Sequence, residues 1–288
     1  MYQLREISFK GTEETIKNID NKTAETLLSC MKYLGKNMKS YFYYQIVKRN
    51  LNELISFIMD KQNKLIDIDL VECNRLLFNY VDTLYAFTNY FENNYKQEFS
   101  IVKKNVYDTQ FEYRLIYHFR NYMIHEDLGI LSFTSKIGKE EISYQFNIET
   151  KRISSSTRVP KAIKDEIDKK FNETSIDILP VLQKQYEILK LMQEKMLSML
   201  SEDILTNFDY LAENIINQNE TFLLKDEKII NSLLNVTTKF YSNLANNFVY
   251  EENYMETDNS IRKLFMSLSF SYYREANVIY NSTKYKRM

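Results

Sequence analysis

The chain has 288 residues, 44% of them apolar, and its 38 Lys and Arg nearly cancel its 39 Asp and Glu, for a net charge of −1. That balance excludes a polycation, so any nucleic-acid contact has to come from a local patch. The length allows one large domain or two ordinary ones.

Four glycines and two prolines in the whole chain are too few for a turn-rich β fold and predict a mainly helical one. Cys30 and Cys73 are isolated thiols with no His nearby, which argues against a structural zinc site and suits a reducing, cytoplasmic setting. The first residues carry no apolar signal core, and no apolar run reaches the roughly 18 residues of a membrane span. The 23 tyrosines offer surfaces for stacking on RNA bases. Beside abundant Asn, Lys and Ile, they read more simply as the bias of an AT-rich genome.

In chain order, Tyr2, Leu4, Ile7 and Phe9 alternate and predict a short strand over 2–10. Leu27, Leu28, Met31 and Leu34 then set one helical face from about residue 22. A second helix is predicted over roughly 39–62 (Ile46, Leu51, Leu54, Ile55, Ile58), a third over about 67–95, and a fourth over about 98–127. Period-two alternation in 130–136 and 141–149, around Gly138, predicts a β-hairpin. The polar stretch 151–158, ahead of Pro160, reads as a linker. Further helices are expected over 161–172, 177–217, 226–249 and 258–276, with Pro180 in the first turn of the long one. The expected division is 1–158, a helical bundle with the hairpin, and 159–288, a helical carboxy-terminal region that packs into the same domain or forms a second.

Both histidines of the chain, His118 and His125, fall in the segment His118-Phe119-Arg120-Asn121-Tyr122-Met123-Ile124-His125. Imidazole is the one side chain suited by its ordinary pKa to acid–base chemistry near neutrality. On a regular helix His118, Asn121 and His125 share a face, whereas Arg120 stands about 140° from His125. The site then needs Arg120 to reach around the helix, the helix to distort, or a second surface to complete it. Gly129 is placed as a left-handed residue just past the helix end. This puts His125 in the last turn beside Glu126 and Asp127, where the helix dipole and two carboxylates favour a cation. The residue types suit RNA cleavage: His transfers a proton, and the Arg fork matches phosphate oxygens. Asn121 can hold a phosphate or orient the imidazole. No metal or other cofactor is required.

Arg120-Asn121-Tyr122-Met123-Ile124-His125 resembles the signature of the HEPN superfamily: Arg, a polar residue, three further residues and His at the end of a long helix in a helical bundle. The wider string from Tyr117 to Leu128 looks like the form found in bacterial defence and toxin proteins. The resemblance covers about 20 residues closely and extends over the helices of 22–127. It implies a metal-independent endoribonuclease in which Arg120 and His125 are catalytic and Asn121 supports them. It also implies an active site shared across a homodimer, and an antitoxin or defence-system partner. A toxin subtype carries Tyr two residues after the His. Here that position is Asp127, which argues against that mode of control, although Tyr122 is nearby.

The expectation is thus a mainly α, HEPN-like bundle that cleaves RNA, with Arg120, Asn121 and His125 as the site and His118, Tyr122, Glu126 and Asp127 as supporting candidates. The basic residues of 151–170 either track an RNA backbone or form a solvated face. The alternatives are a non-catalytic helical interaction module that keeps the motif, and a sensor whose Arg and His hold a ligand phosphate. No Gly-rich phosphate loop supports nucleotide binding of the usual kind.

Overall fold

The computed structural model describes residues 2–7, 13–62, 69–126, 129, 132–137, 142–171, 174–215 and 247–251. With Gly and Pro so scarce, little in the sequence interrupts a helix, and most described residues are helical. The order is β1 (Tyr2–Ile7), β2 (Glu13–Ile19), α1 (Asn21–Gln62), α2 (Leu70–Asn94), α3 (Lys96–Thr109), α4 (Phe111–His125), β3 (Ser132–Ile137) and β4 (Ile142–Glu149). It continues with α5 (Thr150–Ser155), α6 (Lys161–Lys170), β5 (Ser175–Asp177), α7 (Ile178–Ile215) and β6 (Asn247–Glu251).

The chain forms two compact units, residues 1–39 with 200–288, and residues 40–199. In the first, β2, β1 and β6 make an antiparallel sheet in that order. Asp20 caps α1, accepting from the Thr23 N–H at 2.9 Å and its hydroxyl at 2.7 Å. The Thr23 hydroxyl holds the Asp20 carboxyl below its usual value. Strand β6 corrects the helix expected over 226–249 at its last residues. Residues 226–246 and the helix expected over 258–276 lie outside the described residues.

The second unit holds the motif, and the boundary expected at 158 falls within it. Its centre is α2, which buries Leu76, Leu77, Tyr80, Val81, Leu84, Phe87 and Phe91 and packs against both α3 and α4. Phe91 stacks on Phe99 of α3 with ring centroids 5.2 Å apart and meets Phe87 edge-on at 4.9 Å. Asn50 of α1 donates to Thr83 Oγ1 at 3.1 Å, and Tyr80 donates to Gln185 Oε1 of α7 at 3.2 Å. The predicted hairpin is present as β3 and β4, joined by β5 in a three-stranded antiparallel sheet. Pro180 sits in the first turn of α7 as expected, and Asp177 Oδ1 accepts the Leu179 N–H there at 3.1 Å.

Three local expectations are corrected. The two helices predicted over 22–62 are one, because Gly35 costs a helix interior only about 1 kcal/mol, and the helix runs through it. The single helix predicted over 98–127 is two, broken at Gln110, whose backbone is extended at φ −114°, ψ 103°. Arg114 stabilises the break. Its Nη1 donates to the Tyr107 carbonyl at the end of α3, and its Nη2 reaches Glu166 of α6 at 2.6 and 2.8 Å. Finally, the linker expected over 151–158 is packed: it contains most of α5, and Ile153 and Ser156 are buried.

Gly129 is buried, and its backbone is not left-handed. A Cβ there would lie 2.6 Å from Leu77 Cδ2 and 3.0 Å from the Met123 Sδ and Cε. Glycine is needed for space, because the chain leaving α4 presses on α2. Gly129→Ala is expected to destabilise the protein by about 1–2 kcal/mol through overpacking of the fully buried Leu77. Leu77→Val should recover part of that loss when combined with it. Urea midpoints of the two single variants and the double variant measure this. Additive losses would mean that Leu77 is not what the added methyl meets.

Candidate active site

The apolar face of α4 determines what the motif can present. Leu115, Ile116, Phe119 and Tyr122 are buried, with the Phe119 and Tyr122 rings stacked 5.5 Å apart. Tyr122 is therefore a core residue, and His118, Arg120 and Asn121 remain half-buried while His125 is exposed.

Arg120 turns towards α2. Its Nη2 donates to Asp82 Oδ1 at 3.1 Å, and its guanidinium carbon lies 3.7 Å from the centroid of the Tyr85 ring. Asp82 and Tyr85 are three residues apart and so share a face of α2. The Arg120 side chain is 19% exposed and that of Asp82 53%. The Arg120 Nε is buried without a hydrogen-bond partner. A single exposed ion pair contributes about 0–1 kcal/mol, and a cation over a ring about 0.5–2 kcal/mol. The arginine is positioned by both without being sequestered in the core.

The side chain of His125, the last residue of α4, makes no hydrogen bond or ion pair among the described residues, and the same holds for the side chain of Asn121. Glu126 is engaged elsewhere: its Oε1 accepts the N–H and the hydroxyl of Thr157, both at 3.1 Å. Burial works against the Glu126 carboxylate, but the hydrogen bonds from Ser156, Thr157 and Arg158 prevail and hold its pKa below the usual value. This clamp brings the 156–158 turn, with exposed Arg158, to the end of the motif helix. Asp127 lies outside the described residues.

His118 belongs to a different setting. Its Nε2 is joined to Tyr107 Oη by a hydrogen bond of 2.7 Å, and its ring meets those of Tyr107 and Tyr117 edge-on at 5.9 and 5.3 Å.

The structure thus joins Arg120 to Asp82 and Tyr85, Glu126 to Thr157, and His118 to Tyr107. Among the described residues Arg120 and His125 have no partner in common. Sequence reasoning missed Asp82, Tyr85, Tyr107 and Thr157, and no motif marks them.

Among the described residues, no three His, Cys, Asp or Glu side chains gather as a metal site, and no helix is long and apolar enough to cross a membrane. Burial, and then the charges of Asp69 and Glu72, push the Cys73 thiol up to about 12, so it is a packing residue and not a nucleophile. No family model, no curated protein and no solved structure matches the chain.

Burial and then the Lys103 charge hold His118 below the usual 6.5. The unfolded chain therefore binds a proton more readily than the folded one. This contribution to stability is intact above about 6.5 and is lost as pH falls towards the folded value. Urea midpoints between pH 7.5 and 5 are expected to fall more steeply for the parent than for His118→Gln. Parallel curves would remove His118 as the source.

Proposed function

We propose that this chain is a metal-independent endoribonuclease in which His125 moves the proton and Arg120 binds the reacting phosphate. The observation that carries the reading is the pairing of an oriented arginine with an unengaged, exposed imidazole at one helix end. Asp82 and Tyr85 fix the direction of the guanidinium. One hydrogen bond to a half-exposed carboxylate is weak enough for a phosphate oxygen to take Asp82's place.

In the proposed reaction the ribose 2′-oxygen attacks the adjacent phosphorus and His125 accepts its proton. Arg120 stabilises the extra negative charge of the phosphorane. The P–O5′ bond then breaks, leaving a 2′,3′-cyclic phosphate, and the 5′-oxygen takes back the proton held by the His125 imidazolium, directly or through water. Asn121 can hold a phosphate oxygen or orient the imidazole.

The reading includes a homodimer, because Arg120 turns to Asp82 and Tyr85 of α2 and shares no partner with His125 among the described residues. Val71, Phe78 and Tyr85 are exposed apolar residues on α2 at seven-residue spacing, the period of a helix–helix seam. The stripe runs past Met123 of α4 and ends at the ring that carries Arg120. A second copy on this stripe would set two motifs in one cleft. RNA is the substrate in this reading, and phage defence or a toxin system with an antitoxin partner is its setting.

A non-catalytic interaction module is the second reading, and the Asp82–Arg120–Tyr85 contact is what favours it, since the same contact staples α2 to α4. Structured RNA incubated in EDTA with the parent, Arg120→Lys and His125→Ala distinguishes the two. The nuclease reading expects cyclic-phosphate ends from the parent. Loss of the imidazole should slow cleavage by about 10²–10⁴-fold with an unchanged melting temperature. Arg120→Lys keeps the charge but loses the fork, and should cleave at least tenfold more slowly, by order of magnitude. If the parent dimer leaves RNA intact while Arg120→Lys lowers only the melting temperature, the arginine is a staple.

A further inference from the structure

Away from Arg120 and His125, α3 and the first half of α4 border an open groove of about 690 Å³. That volume lies within the range of small-molecule sites. Lys96, Ser100, Lys103 and Tyr107 line it from one face of α3, at the i, i+4, i+7 and i+11 positions. Its floor is apolar and aromatic, with buried Phe99 and half-buried Tyr117. Lys103 is occupied there: it pairs with Glu92, and its ammonium lies 4.7 Å from the Tyr117 ring centroid. The ammonium groups of Lys96 and Lys104, on the exposed rim, have no hydrogen bond or ion pair among the described residues. Among the described residues that line the groove, three lysines stand with Glu92 and Asp108, so the lining carries a net positive charge.

A second observation places unmet polar capacity behind the floor. Tyr113 is completely buried and stacks on Tyr117 at 6.0 Å, and its Oη has no hydrogen-bond partner. Burial, and then its neighbours Tyr117, Glu92 and Tyr107, push the Tyr113 phenol up, and all three neighbours line the groove. Aromatic walls under two free ammonium groups suit a ligand with a flat ring at one end and phosphate at the other.

The groove also lies in line with the motif. Tyr107 is bonded to His118, and His118, Asn121 and His125 follow one another along the same face of α4. From His118 to His125 the helix rises about 10 Å, a distance that a short single strand crosses.

We propose that the groove between α3 and α4 is a binding subsite for one nucleotide of single-stranded RNA, its base against Tyr107 and the edge of Tyr117 and its phosphate on Lys96 and Lys104. The strand then continues past His118 and Asn121 to the scissile phosphate at His125. The identity of the ligand as RNA rests on the ribonuclease reading. The recognition of a nucleoside phosphate rests on the groove alone.

The test uses the full-length His125→Ala protein, in which binding is separated from cleavage. Affinities for a labelled hexaribonucleotide and for 5′-AMP are measured with and without Lys96→Ala and Lys104→Ala together. Both lysines are exposed, so the fold should survive, and circular dichroism checks it. Removing the pair should weaken oligonucleotide binding about tenfold or more. It should also lower the salt slope by roughly 0.7 for each phosphate that no longer meets a lysine. Ser100→Trp, which fills the groove from its rim, should weaken binding comparably.

Unchanged affinity and salt slope in both variants would overturn the subsite. If the parent still cleaved RNA in a His125-dependent way, the ribonuclease reading would stand without it. Groove-dependent binding of 5′-AMP by a protein that cleaves no RNA would support the nucleoside-phosphate site and remove the ribonuclease reading. Groove-dependent binding of the hexamer with little affinity for 5′-AMP would identify the strand, and not a free nucleotide, as the ligand.

Discussion

The seam buried along α2 is the constraint on which the rest of the motif-bearing unit depends. Leu77, Tyr80, Val81, Leu84, Phe87 and Phe91 are all nearly or completely shielded, and burial of each large apolar side chain contributes about 1.5–3 kcal/mol. A helix with that face turned inward must turn the opposite one outward. Asp82 and Tyr85 therefore stand at the surface, where α4 crosses, and Arg120 meets them. The same seam fixes Gly129, because Leu77 occupies the space that a side chain at 129 would need. The direction of the arginine and the course of the chain after His125 thus share one physical origin.

The motif helix is held at both ends by groups distant in sequence. At its start, Arg114 binds the last turn of α3 through the Tyr107 carbonyl and α6 through Glu166. The Arg114 and Glu166 side chains are only 14% and 28% exposed, and their greater burial makes this pair stronger than the exposed Arg152–Glu149 contact. At its end, Glu126 accepts two hydrogen bonds from Thr157. Residues 149–170 therefore brace α4, which explains why the polar 151–158 stretch is ordered structure. It also qualifies the reading of these residues as a basic track. Arg152 pairs with Glu149, Lys164 with the Ser156 carbonyl, and Lys170 lies over Phe111. Exposed Arg158 remains beside the motif.

The two histidines, seven residues apart on one helix face, have different surroundings. His118 is half-buried and committed to Tyr107, and its surroundings disfavour the proton. His125 is exposed and uncommitted. Of the two side chains, His125 is the one that stands exposed. His118 links α4 to the aromatic wall of α3 and so ties the motif to the groove above it.

The helical class, the positions of α2, β3, β4 and α7, and the candidate residues of the motif are all legible in the amino-acid order. They depend on local periodicity, on the scarcity of Gly and Pro, and on residue chemistry, all of which can be read over a few turns. The break at Gln110, the ordering of 151–158 and the pairing of β6 with β1 come from packing in three dimensions. So do the true reason for Gly129 and the partners of Arg120, His118 and Glu126. Most of these are settled by a group far along the chain: Glu166 for the break, Thr157 for Glu126, Leu77 for Gly129, and Asp82 with Tyr85 for Arg120. Local pattern says which face of a helix is apolar, but not which neighbour will cover it. The direction in which a half-buried charge points follows from that neighbour.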